Sequence, residues 1–230
     1  MKTKIFNLIV LDESGSMQPV TEQTVGGCNE VINSIRSSQE KYADTQEHYL
    51  SIYAFQSQSR IPSRYLLKNV PVAEARAISR EDYRPWGCTP LYDAVGSTLA
   101  DLRAKIGGDV GATASVTIIT DGMENSSTHY DREKVASMIS ALKELGWNFN
   151  FIGAEIDARR VAMSINIDIS NTLQFDRDAK GTSEMWEKYK SCRESYSARF
   201  DDCCCNDGSE DEEVIREKRR KASRGFFDLF

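Results

Sequence analysis

The chain is predicted to fold as an α/β domain, a doubly wound and mostly parallel sheet of about six strands with helices on both faces. Two patterns predict this. Short apolar runs alternate along the chain with longer segments whose apolar residues recur every three or four positions. The connections between the runs are long enough to carry crossover helices, which favours parallel pairing. A third observation fixes the scale. The chain has 230 residues, 40% of them hydrophobic, enough for one domain with a sizeable core and an appendage.

Each element follows from its residues. Ile5 to Leu11 reads as a strand buried on both faces, interrupted only by Asn7. From Val25 to Tyr42, Cys28, Val31, Ile32 and Ile35 share one helical face. Tyr49 to Phe55 is a second strand. Ile61 to Leu67 is predicted as an edge strand, because Pro62 removes a ladder donor and Arg60, Arg64 and Lys68 suit exposure. Thr89-Pro90 opens a helix that places Leu91, Ala94, Val95, Leu99, Leu102 and Ile106 on one side and ends at Gly107-Gly108. Ser115 to Thr120 is a buried strand. Asp131 to Leu145 is a helix stopped by Gly146, and Trp147 to Ile152 a further strand. Asp157 is expected to cap a short helix through Met163. Leu173 to Phe175 is a last strand, followed by an amphipathic helix marked by Met185, Tyr189, Cys192, Tyr196 and Phe200.

These elements make residues 1–200 one domain. Residues 201–230 differ in composition: a Cys203-Cys204-Cys205 run, acidic Glu210 to Glu213, basic Arg216 to Arg224, and an aromatic end. They are expected to form a mobile or conditionally ordered tail with a solvated charge run. Phe226, Phe227, Leu229 and Phe230 should nevertheless dock on this domain or on a partner.

Composition also excludes functions. A net charge of −6 disfavours non-specific nucleic-acid binding, which requires phosphate neutralisation. The first apolar run is too short for a secretory signal or a membrane span, so no membrane association is expected. The six cysteines form neither a disulfide framework nor a CxxC zinc site, and only two histidines are present. Reduced thiols in a cytoplasm are the expectation.

The chemistry lies at three predicted strand ends. The first run stops at Asp12-Glu13-Ser14-Gly15-Ser16, a carboxylate and two hydroxyls at alternate positions. Thr89 precedes the Leu91 helix, and Asp121-Gly122 follows the Ser115 strand. In a doubly wound sheet such loops meet beyond the carboxyl ends of the strands, where strand order switches. Asp12, Ser14, Ser16, Thr89 and Asp121 would then be five hard oxygen donors, suited to Mg²⁺ or Mn²⁺. Plainer roles exist for each: turn hydrogen bonding for Asp12 and Asp121, an N-cap for Thr89. Glu13, Glu124 and Asn125 are expected in solvent or facing a partner. Trp86, Tyr92 and Met17 flank the cluster, either as contact surface or as packing.

In these motifs the chain resembles the von Willebrand factor type A domain, over roughly residues 3 to 176. Asp12-x-Ser14-x-Ser16, Thr89 and Thr120-Asp121-Gly122 match the parts of that family's metal-ion-dependent adhesion site, with no departure at the five ligand positions. The likeness is to compact stand-alone bacterial or phage members. It implies a protein-binding module, not an enzyme, in which a partner's Asp or Glu completes the coordination of the metal. It also implies two settings, beside a MoxR-type AAA+ ATPase or in a stress- or tellurite-resistance system. From its charge, an acidic side chain among Glu210 to Glu213 is a further candidate ligand, for the metal site of the same or of a neighbouring molecule. The rival from another class is a Mg²⁺-dependent phosphohydrolase of haloacid-dehalogenase-like type, which also carries an aspartate after its first strand. Such enzymes need a second carboxylate two residues later, where this chain has Ser14.

Overall fold

The computed structural model describes residues 2–58, 60–154, 158–204 and 211–228, with the Cys204 side chain left aside. Asp157, Cys205, Glu210, Leu229 and Phe230 lie outside the described residues, so the expectations placed on them stay there.

Six strands form one sheet: β1 (Thr3–Asp12), β2 (Gln46–Phe55), β3 (Arg64–Pro71), β4 (Ala112–Thr120), β5 (Asn148–Ala154) and β6 (Thr172–Phe175). Their order is β3-β2-β1-β4-β5-β6. All neighbours pair in parallel except β2 and β3, which are antiparallel. The chain runs outward from β1 to β2 and β3, then returns to β4 on the other side. The switch in strand order therefore falls between β1 and β4, where Leu11 pairs with Ile119. That register sets Asp12 beside Thr120 at the strand ends.

The edge strand begins three residues later than expected, at Arg64. Residues 61–63 instead tie the preceding loop: Gln56 Nε2 donates to the Ile61 carbonyl, and its backbone N–H to Ser63 Oγ. The other strands differ from expectation by at most three residues at either end.

Helices cover both faces. α1 (Thr21–Lys41), α5 (Ala179–Cys204) and α6 (Glu212–Ser223) lie on one; α2 (Leu91–Ile106), α3 (Arg132–Glu144) and the short α4 (Ala158–Ser164) on the other. Alternate residues of β1 feed the two cores: Ile5, Ile9 and Leu11 pack with α1 and α5, and Phe6, Leu8 and Val10 with α2 and α3. A short 3₁₀ turn, Gly15–Val20, leads directly into α1, which therefore starts before Val25.

The α5 face of the central strands is not wholly apolar. Asn7, Ser115, Thr117, Asn148 and Asn150 form a buried polar seam, partnered from α5 and from the 3₁₀ turn Ile169–Asn171 that precedes β6. Tyr189 Oη donates to Thr117 at 2.9 Å, Arg193 Nη1 to Asn7 Oδ1 at 2.6 Å, and Asn171 Nδ2 to Asn148 Oδ1 at 3.1 Å. Buried polar groups demand such partners, so the seam fixes how α5 seats on the sheet.

Of the mobile or conditionally ordered tail expected after Phe200, the described part is helical and packed on the domain. α5 continues to Cys204, and α6 packs against α5 and α3. Arg219, in the supposed solvated charge run, is buried and donates to the carbonyls of Ala112 and Val110, both at 2.9 Å. Phe226 and Phe227 close the core beside Tyr189 and Tyr196. The physical reason is spacing: Ile215, Arg219, Ala222 and Ser223 share one helical face within a charged segment.

Candidate metal centre

The five predicted residues converge at the β1/β4 switch point. Asp12 ends β1, fully buried. Its Oδ1 accepts the Ser14 backbone N–H at 2.7 Å, an Asx turn that bends the chain back over the strand end. Its Oδ2 accepts from Thr120 Oγ1 at 2.6 Å. Ser14 Oγ lies 3.0 Å from Ser16 Oγ, and Ser16 Oγ donates to Asp121 Oδ1 at 2.6 Å. One chain of contacts thus joins the β1 loop to the β4 loop.

Thr89 arrives from the third loop. A β-carbon placed on Gly122 would stand 3.2 Å from Thr89 Oγ1 and 4.0 Å from both Asp12 Oδ2 and Ser16 Oγ. Glycine at 122 is what lets this backbone pass so near the three oxygens. Gly87 has φ of +72°, a conformation that turns the chain toward Thr89.

The N-cap reading of Thr89 is not what its side chain does. Pro90 occupies the position before α2, with no side-chain cap of its own. The first-turn N–H groups are satisfied from the β4 loop: Tyr92 N donates to Glu124 Oε2 at 2.9 Å and Asp93 N to Ser127 Oγ at 3.0 Å. Asn125 Oδ1 accepts the Thr89 N–H at 2.8 Å. Glu124 and Asn125 therefore lock two loops together, Glu124 half-buried and Asn125 exposed as expected. Glu13 also departs from expectation. It is fully buried, takes both guanidinium nitrogens of Arg64 at 2.7 and 3.0 Å, and accepts the Arg84 N–H at 2.5 Å. Tyr83 Oη donates to the Asp12 carbonyl at 2.5 Å. These contacts pin the first loop from behind.

Three participants were missed from sequence. Thr120 sits within the quoted motif, and alternation along β4 is the signal that could have pointed it at Asp12. Arg177, on the turn after β6, approaches Asp121 Oδ2 at 3.7 Å and is partly exposed. Its distance in sequence gives no signal. Arg64 likewise reads as an ordinary edge cation.

Electrostatically the site is loaded with negative charge in a dry place. Asp12 and Asp121 are both buried, while Ser16 is exposed and opens the cluster to solvent. Burial pushes the Asp12 carboxyl up to about 6, against the bonds from Thr120 and Ser14 that favour its ionised form. A group that is costly to ionise in the bare protein is suited to a cation that restores the balance. The donor set, two carboxylates and three hydroxyls, fits a hard divalent ion. Among the described residues no cluster of three or more His, Cys, Asp or Glu exists, so a soft-ligand metal site is absent there.

Comparison with known proteins agrees with this architecture. No family model matches the sequence, and no curated protein matches it. Solved structures do match. The pilus adhesin SpaC from Lactobacillus rhamnosus GG superposes with a TM-score of 0.63 at 15% identity, over 85% of this chain and 31% of that one. A von Willebrand factor type A protein from Catenulispora acidiphila gives 0.54 at 17% identity, over 84% and 43%. Proximal thread matrix protein 1 of the mussel byssus, in a form with a zinc-occupied MIDAS motif, gives 0.54 at 12% identity, over 84% and 46%. This chain spans less than half the length of each of these three. The class is therefore defined: the chain has the von Willebrand factor type A fold. Among the described residues, no helix is long and apolar enough to cross a membrane.

Proposed function

We propose that this chain is a divalent-metal-dependent protein-binding module and not an enzyme. Asp12, Ser14, Ser16, Thr89 and Asp121 hold Mg²⁺ or Mn²⁺, and an Asp or Glu of a protein partner supplies a further oxygen. The observation that carries this reading is the contact chain Ser14–Ser16–Asp121 with Thr89 facing the same point. Three loops distant in sequence each bring side-chain oxygen there, with the Arg177 guanidinium 3.7 Å from Asp121 Oδ2. The bound ion would supply electrostatic attraction for an anionic oxygen, and neutral hydroxyls in its shell leave that attraction strong.

The mussel protein's zinc-occupied motif on the same fold supports a divalent ion here. Ser14 stands where a phosphohydrolase of haloacid-dehalogenase-like type needs its acid catalyst, and the neighbouring Glu13 is tied up by Arg64. The test is affinity capture from the source organism in Mg²⁺ and in chelator, with wild type beside Asp121→Asn. A partner retained only by wild type in Mg²⁺ is expected; an AAA+ ATPase among such partners would make the chain its adaptor. Capture indifferent to both metal and variant would end the proposal.

A further inference from the structure

Large apolar side chains in contact with water are few among the described residues, and the two most exposed lie on loops that build the metal centre. Met123 is 61% exposed and Trp86 60%. Met123 directly follows Asp121-Gly122. Trp86 belongs to the Thr89 loop, and its backbone N–H donates to the Glu13 carbonyl at 2.8 Å. Met17 is by contrast buried and Tyr92 only partly exposed, so those two serve packing. Beside Trp86 lies an open cleft of about 280 Å³, walled by Ile61, Pro85, Arg80 and Arg84.

Exposed Trp and Met are costly to leave in water, and both are enriched where proteins meet. The Trp86 backbone is tied to the first loop by its bond to the Glu13 carbonyl, and Met123 adjoins Gly122, whose N–H donates to Thr120 Oγ1 at 3.1 Å, so both side chains start close to the oxygens. A partner that reached the ion with its carboxylate would meet Trp86 and Met123 with whatever flanks that carboxylate. Of the two arginines in the cleft, Arg80 is paired with Glu22 at 3.1 Å, and the exposed Arg84 suits an acidic segment.

We infer that Trp86, with its cleft, and Met123 form the apolar walls of the partner-binding surface. The occupant is a protein loop whose ligating Asp or Glu has a large apolar residue beside it. This rests on the metal-dependent binding proposed above, and extends it from the ligating group to its neighbours.

The test uses short fluorescent peptides and the intact chain, read by anisotropy in Mg²⁺ and in chelator. One peptide carries Asp between Leu and Phe, a second carries Asp between serines, a third carries Asn between Leu and Phe. The Leu/Phe-flanked Asp peptide is expected to bind about tenfold tighter than the serine-flanked one, the scale of a modest aromatic hot spot. That preference should vanish in a Trp86→Ser, Met123→Ser double variant that keeps its Mg²⁺-induced rise in melting temperature. Equal binding of the two Asp peptides to wild type, or a preference that survives the double variant, overturns the inference and leaves the metal-dependent reading standing. Binding that ignores Mg²⁺, or an Asn peptide as good as its Asp counterpart, overturns the metal-dependent reading and this inference with it.

Discussion

Replacing Asp121 by Asn separates a metal ligand from a structural turn residue. The amide keeps an oxygen for Ser16 Oγ, which donates to Asp121 Oδ1 at 2.6 Å. It removes a buried negative charge close to Asp12. Lifting the Asp12 carboxyl from 3.8 to about 6 means that its ionised form costs the fold about 3 kcal/mol at neutral pH. Burial is the main cause and Asp121 a lesser one, so the substitution returns only a small part. The lost ion pair with Arg177 spans 3.7 Å to a partly exposed side chain and is worth ~0–1 kcal/mol. These terms oppose each other, so the metal-free variant should lie within about 1 kcal/mol of wild type. Metal changes the comparison. A free ion at a hundred times its dissociation constant stabilises wild type by about 2.7 kcal/mol. In a domain of this size that is about 5–10 °C in melting temperature. Asp121→Asn should show little or none of that rise. The assay is calorimetric melting of both proteins, metal-free and in Mg²⁺. An equal rise in both would refute the ligand role. A metal-free variant weaker by much more than the estimate would show that Asp121 serves the fold instead.

Three further outcomes follow from specific contacts. Phe226 is fully buried, with ring centroids 4.9 to 6.1 Å from Phe227, Tyr196 and Tyr189, so Phe226→Ala should cost about 3–5 kcal/mol in urea unfolding. A cost below about 1 kcal/mol would mean that the C-terminal segment is not docked in solution. His48 is held neutral, its Nδ1 facing Asn7 Nδ2 and its Nε2 facing Gln46 Oε1, and burial with the nearby Arg193 charge lowers its pKa to about 3. The unfolded chain takes up that proton near 6.5, so stability should fall as pH drops from there toward 3, by about 1.4 kcal/mol per unit from this residue. His48→Gln should flatten that slope in denaturant titrations across the same range. Arg177→Ala removes a cation beside Asp121 and should tighten Mg²⁺ binding about three- to tenfold by calorimetric titration; weaker binding would assign Arg177 to the site's support.

Sequence periodicity located every strand of the sheet because each is either a short apolar run or an alternating one. The switch point was also legible, since Asp12 and Asp121 each follow such a run. What lay hidden depends on contacts between distant residues. Glu13 looks like a solvated neighbour of Asp12, and only the fold brings Arg64 to it. Thr89 looks like an N-cap because Pro90 follows, yet the capping groups come from Glu124 and Ser127 across the loop. The α6 segment looks disordered by composition, because its single buried face is narrow and includes an arginine that spends its donors on carbonyls. Where local chemistry decides the conformation the sequence is readable; where a partner far along the chain decides it, the sequence is silent.

The central claim is that five oxygens at the β1/β4 switch point bind one divalent ion. Electron paramagnetic resonance of Mn²⁺ titrated into the metal-free protein measures this without any partner. The account predicts about one tightly held Mn²⁺ per chain, displaced by Mg²⁺ and lost in Asp121→Asn. Free Mn²⁺ signal undiminished by the protein, or binding unchanged in that variant, would contradict it.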